Sequence, residues 1–305
     1  MARKRKGRPV NGVLLLDKPL GHSSNHVLQK VRRLYNAQKA GHTGSLDPLA
    51  SGMLPICFGE ATKFSQYLLD ANKAYTVTAK LGETTTTSDA EGEIIEQRPI
   101  KCSAQEIEST ALSFIGSSKQ VPSMYSALKH QGQPLYKLAR QGIEVERQAR
   151  DIHIDKLTVE SITSNTFSLY VECSKGTYIR NLVEDIGEQL GCGAHVIKLR
   201  REWVAHFDNA SMVSMEQLQS LRDNEQFDEL DGLLLPVDCA LEGYEQQILD
   251  ADAAHYFCHG QPVFAGAECV SGELVKVYDE SELFLGIAIV DDDMKLAPKR
   301  LVVRE

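Results

Sequence analysis

"GHTGSLDPLASG", residues 41–52, sets three glycines, a histidine and a carboxylate followed by proline between two stretches that read as buried structure. Pro48 pushes Asp47 toward extended backbone, and Asp-Pro opens turns well. Gly41, Gly44 and Gly52 allow a ligand's backbone to come close. Asp47 is therefore either a turn residue or a reactive carboxylate, and the loop alone leaves both readings standing. Its place between buried elements favours chemistry, because loops on a rigid scaffold carry most functional residues. No second carboxylate lies within ten residues on either side. A glycosidase-like pair is absent locally, so Asp47 would have to act alone, as nucleophile or base.

Outward from the loop, the elements are those of an α+β protein. "GVLLL" (12–16) reads as a buried strand that stops at Lys18-Pro19, since proline cannot donate to the ladder. Ser23 and Ser24 offer N-caps to a helix with Val27, Leu28, Val31, Leu34 and Tyr35 on its apolar face. "LPICFG" (54–59) predicts a short strand, 60–69 a helix and 75–81 an alternating, half-buried strand. "ETTTTSDAEGE" (83–93) reads as a polar loop. A helix over 103–116 starts with a Ser103/Glu106 capping box. Strands follow at 154–162 and 167–173, then a helix over 178–190 stopped by Gly191 and a strand within 195–207. The acidic stretch 216–250 is helical in part. Residues 250–305, with strands near 273–278, 283–290 and 300–303, read as a small β-rich domain. Segment 118–151, rich in Lys, Arg, Gln and Tyr, is either a mobile excursion or a binding surface.

The net charge of −9 conceals an asymmetry. Residues 1–63 hold 11 Lys/Arg against 3 Asp/Glu, whereas 64–305 hold 22 against 39. A polyanion feels the local field, so a basic face coexists with an acidic whole. Residues 1–9, with Arg3, Lys4, Arg5, Lys6 and Arg8, read as a flexible basic arm that attracts phosphates. The seven cysteines are scattered without a C-x-x-C, as expected of reduced thiols in the cytoplasm. The N-terminus lacks the apolar stretch of a secretory signal, and no apolar run is long enough to span a membrane. No P-loop, H-E-x-x-H, G-x-S-x-G or Cys/His zinc set occurs; "GCGAHV" (191–196) lacks the third glycine of a dinucleotide site, and His255, Cys258 and His259 are too few for a metal. The expectation is no cofactor and no metal.

A second constellation, "CSKGTYIRNLVEDIG" (173–187), puts Tyr178 and Arg180 where a strand turns into a helix. Arg180 can orient a carboxylate and keep it ionised, or simply pair with Glu184 one turn along. Tyr75 opens its strand as a core residue or as a platform on which a base stacks.

Together these residues resemble the TruB-type tRNA pseudouridine synthases across nearly the whole chain, through "NGVLLLDKPLGHSS", "KAGHTGSLDPLASGMLPICFGEATKF", "VPSMYSALKHQGQPLYKLARQGIEV", "CSKGTYIRNLVEDIGEQLGCGAHVIKLRR" and "APKRLVV". The resemblance implies a pseudouridine-synthase fold: a mixed, largely antiparallel sheet flanked by helices over 10–249, with 118–151 as an insertion that closes over RNA and 250–305 as a PUA-like domain. It implies Asp47 as nucleophile, Tyr75 as the tyrosine stacking on a flipped base, and Tyr178 and Arg180 as a second tyrosine and the arginine pairing with the nucleophile. Asp89 would brace that arginine. His42 would fill the space the nucleotide vacates, and Leu199 would touch substrate. Lys18 joins the substrate-binding set, and with Pro19 supports the loop. The implied substrate is uridine 55 in the T-stem-loop of tRNA, the expected state a cytoplasmic monomer. Thr86 stands where this family commonly has an aspartate. The opposing expectations are a non-catalytic RNA-binding or chaperone protein of the same fold, and a methyltransferase, which needs a glycine-rich cofactor turn not evident here.

Overall fold

A computed structural model describes residues 7–207, 212–266 and 269–303. The first strand, β1 (Gly12–Lys18), is followed by α1 (Ser24–Leu34), β2 (Ala40–His42) and β3 (Ala50–Phe58). A 3-10 turn (Gly59–Lys63) leads to α2 (Ser65–Asp70), β4 (Lys73–Leu81), the hairpin β5 (Glu83–Thr85) and β6 (Ile94–Gln97), and α3 (Ala104–Leu112). Next come β7 (Gly116–Gln120), a small hairpin β8 (Lys129–His130) and β9 (Gln133–Pro134), and α4 (Leu135–Ala139). The long β10 (Arg150–Ile162) and β11 (Thr166–Cys173) precede α5 (Ile179–Gln189) and β12 (Ala194–Val204). The first unit closes with β13 (Val213–Ser214), α6 (Met215–Asp223) and α7 (Phe227–Gly232). The second is built from β14 (Gln246–Leu249), α8 (Ala251–Cys258), β15 (Val263–Phe264), β16 (Leu274–Asp279), β17 (Phe284–Val290) and β18 (Lys295–Leu301).

The main sheet runs β13-β1-β3-β12-β4-β11-β10-β7, with β2 paired to β3. Only β1–β13 and β3–β12 are parallel, so the expected mixed, largely antiparallel sheet is what forms. Strand β1 is apolar without alternation because both its faces are covered. Leu14 and Leu16 pack under α1, α6 and α7. Val13 and Leu15 face Phe64, Phe207, Phe284 and Ile287 on the other side. Strand β4 alternates as expected, with Tyr75, Val77, Ala79 and Leu81 buried against α5 and β11. The Ser23 cap and the Ser103/Glu106 capping box both form.

Several elements differ from expectation for identifiable reasons. The helix expected over 60–69 splits, because the Thr62 and Ser65 hydroxyls donate to the carbonyls three residues back and compete with the helical ladder. The polar stretch 83–93 opens as a short strand: the β-branched Thr84 and Thr85 pair with Glu96 and Ile94. The last strand starts at Lys295 rather than near 300, taking Pro298 in beside a bulge at Ile287/Ala288. Segment 118–151 begins and ends inside main-sheet strands, so only 121–149 stands off; Met124 and Leu135 are buried in it, and the Val121 and Tyr125 carbonyls accept from Asn181 and Arg180 of α5. The second sheet takes in Gln246–Leu249 through β16, four residues before the expected boundary at 250. Of the basic arm, residues 1–6 lie outside the described residues. Arg8 donates to the Tyr35 carbonyl and pairs with Asp231.

Candidate active site

Asp47 sits in a turn, and the same turn presents its carboxylate to a cleft. The Ala50 N–H donates to the Asp47 carbonyl at 3.0 Å, closing a four-residue turn with Pro48 in its second place. That turn is clamped from every side. Ser24 and Leu46 exchange hydrogen bonds at 2.7 and 3.0 Å, and the Gly21 N–H donates to Pro48 O at 2.8 Å. The Lys18 ammonium donates to Pro19 O and Ala50 O at 2.8 and 2.7 Å. The carboxylate is thus presented by a fixed backbone into a cleft of about 370 Å³, and 40% of its side-chain surface stays open there.

Arg180 enters from the first turn of α5. Ile179, Leu182, Val183 and Ile186 bury that helix on the sheet, at about 1.5–3 kcal/mol per side chain. Such anchoring holds the guanidinium buried against a desolvation cost of several kcal/mol. Its Nε lies 3.0 Å from Asp47 Oδ2 and one terminal nitrogen 3.4 Å from Asp89 Oδ2. The remaining donors go to Thr87 O and Tyr125 O, both at 2.9 Å. Glu184 bonds the Ser88 hydroxyl instead, so the alternative pair one turn along the helix does not form. Asp89 is held in turn by the Glu91 N–H at 3.0 Å and the Thr87 hydroxyl. The Thr86 hydroxyl accepts from the Glu93 N–H at 3.1 Å, within the hairpin.

Removal from water raises the Asp47 carboxyl above its ordinary range; Arg180 opposes the rise, Asp89 adds to it and Lys18 opposes it. Burial brings the Lys18 ammonium down to about 8. Lys18 is fully buried with both bonds on carbonyls. It therefore stands as a support of the loop, in keeping with the supporting role expected of it with Pro19.

Tyr75 and Leu199 stand on the neighbouring strands β4 and β12 and line the cleft with Tyr178. Burial raises the hydroxyls of both tyrosines. Burial, and then Arg201, push the imidazole of His42, on β2, below its ordinary range, which favours the neutral ring. Its Nδ1 is buried without a hydrogen-bond partner among the described residues. Neither His42 nor Lys18 lines the cleft itself.

Sequence reasoning missed Arg201 and Gln120. Arg201 is 1% exposed and donates to Met53 O at 2.7 Å and Gly44 O at 3.3 Å, beside the Tyr75 hydroxyl. Gln120 clamps the backbone of Tyr178 from both sides, at 2.8 and 3.1 Å. Both act on backbone far away in the chain, which local pattern does not register.

Residues 32–179 match the TruB family pseudouridylate synthase N-terminal domain, 180–242 the tRNA pseudouridylate synthase B C-terminal domain, and 247–302 the pseudouridine synthase II TruB C-terminal domain. A tRNA pseudouridine synthase B of Vibrio vulnificus (strain YJ016) is 53% identical over 309 residues, covering 99% of this chain and 98% of the relative. The chain belongs to the TruB family. Another relative of that name, from Colwellia psychrerythraea, is 53% identical over 317 residues, covering 100% of this chain and 99% of its own. The TruB fold extends to a Cbf5-Nop10-Gar1 complex, whose matching chain has a TM-score of 0.71 at 24% identity, covering 100% of this chain and 90% of that one. No helix among the described residues is long and apolar enough to cross a membrane.

Proposed function

We propose that this chain converts uridine 55 in the T-loop of tRNA to pseudouridine, acting as a cytoplasmic monomer with Asp47 as nucleophile. Family membership and the names of its relatives support pseudouridine synthesis on tRNA. The observation that carries the assignment of Asp47 is its carboxylate, open to the cleft while its far side is held 3.0 Å from a buried Arg180.

The reaction cleaves C1′–N1, rotates the base and joins C1′ to C5; the C5 proton leaves and N1 gains one. A base stacked in a loop cannot present these atoms, so it is flipped out at a cost of a few kcal/mol that RNA contacts offset. One anionic carboxylate suffices, whether it adds to C6 or engages C1′. Arg180 favours the anion, Tyr75 gives the detached ring a stacking face, and the neutral His42 is suited to occupy the gap left in the loop.

Because the C5 hydrogen leaves once per turnover, tritium release from [5-³H]uridine-labelled tRNA reads the reaction directly. Asp47→Asn is expected to bind tRNA and release no tritium. Release near the wild-type rate would remove Asp47 from this role. Pseudouridine mapping on the product tests position 55.

A further inference from the structure

The segment 121–149 delivers more to the cleft than a cover. The carbonyl of Tyr125 is held by Arg180 at 2.9 Å, which fixes the backbone of the next residue relative to the Asp47 ion pair. That residue, Ser126, is 3% exposed and lines the cleft with Asp47, Tyr75, Tyr178 and Leu199. Its own carbonyl accepts from the Tyr136 N–H at 3.1 Å, so the main chain is pinned on both sides. Yet among the described residues its hydroxyl makes no hydrogen bond of ordinary geometry, although it stands near enough to the Tyr178 hydroxyl to oppose the rise that burial imposes on that group. A buried hydroxyl left unpaired in a fixed backbone is unfavourable unless something arrives to bond it.

We propose that Ser126 contacts the substrate, its hydroxyl bonding a carbonyl edge of the flipped uracil and holding the ring while it is detached from the sugar. This rests on the function proposed above. Stacking on Tyr75 restrains the plane of a ring but not its orientation within the site. Exchanging N1 for C5 at C1′ amounts to turning the base about the line through C6 and N3. That turn also exchanges O2 for O4. A donor placed against one carbonyl therefore finds an equivalent acceptor after the turn, and a single hydroxyl serves the base before and after. Cytosine, with an amino group in place of O4, lacks this symmetry.

The test measures affinity in the Asp47→Asn background, which prevents turnover, for a T-stem-loop carrying uridine and for the same RNA with an abasic site at that position. Ser126→Ala is expected to weaken the uridine RNA about 5- to 20-fold and leave the abasic RNA unchanged. With Asp47 present it should lower kcat/KM for tritium release by a similar factor, with free uracil appearing among the products. Equal weakening on both RNAs, or none on either, overturns the proposal. Where Ser126→Ala does not fold, Ser126→Cys, slightly larger and only a weak donor, carries the same comparison. A wild-type chain that releases no tritium removes the enzyme reading and this inference with it; an active wild type with an unaffected Ser126→Ala removes this inference alone.

Discussion

Replacing Arg180 by methionine keeps the length and apolar stem of the side chain and removes its charge. At 3.0 Å the Asp47–Arg180 attraction is about 5 kcal/mol for an effective dielectric near 20. Because 40% of the Asp47 side chain is open to solvent, screening brings the usable part down to about 3 kcal/mol, the low end for breaking a buried pair. The rate at neutral pH should fall roughly 100-fold. The sign of the pH effect follows from the site. Burial already raises the Asp47 carboxyl, and Arg180 is the largest influence opposing that rise. Without it the carboxyl rises further, so activity is lost earlier as pH falls and part of the deficit is recovered as pH increases. Single-turnover tritium release between about pH 6 and 9 measures this, with the melting temperature checked alongside. A deficit that is flat across that range would refute the reasoning. A loss confined to KM would do so too, making Arg180 a phosphate contact.

Gly187 of α5 sits where an added Cβ would lie 2.2 Å from the Ala194 nitrogen and 2.5 Å from the Gly193 carbonyl carbon. Gly187→Ala should lower stability by about 2 kcal/mol, overpacking outweighing the gain in helix propensity; an unchanged urea midpoint would contradict that packing. Lys18 titrates near 8 in the folded chain, against an ordinary 10.5. Between those values the folded state has released a proton that the unfolded state keeps, so this group makes stability rise with pH. Wild type should gain up to about 2 kcal/mol relative to Lys18→Met between about pH 7.5 and 9.5, measured by urea unfolding. An equal difference at both pH values would mean that Lys18 is not desolvated as its burial implies.

Long periodic elements such as α5 and β4 were legible in the sequence because one packed face sets their pattern. Asp47 was ambiguous for a physical reason: the turn that Asp-Pro favours is the same turn that presents the carboxylate, so local pattern could not separate them. What surrounds that carboxylate is Arg180 and Asp89, which come from α5 and the β5–β6 connection and which the resemblance alone brought together beforehand. Lys18 entered through the resemblance alone, and the two carbonyls that its ammonium bonds lie in Pro19 and in Ala50, the latter far along the chain. Arg201, Gln120 and Ser126 left no local trace. They act on, or are held through, main-chain groups distant in sequence, and residue type alone does not reveal that.

The order of strands in the main sheet bears on how the chain comes into being. Strands β3 and β4 are successive in the sequence, yet β12 lies between them. A chain emerging from the ribosome therefore holds an unfilled slot at the centre of its sheet until residues 194–204 have been made. Until then Asp47, on the β3 side, and Arg180, whose helix rests partly on β12, have no common frame. Such distant pairings form late and slowly. A nascent or truncated chain that ends before β12 should thus neither protect its apolar strands nor process RNA, and the Asp47–Arg180 pair comes into existence with the step that completes the sheet.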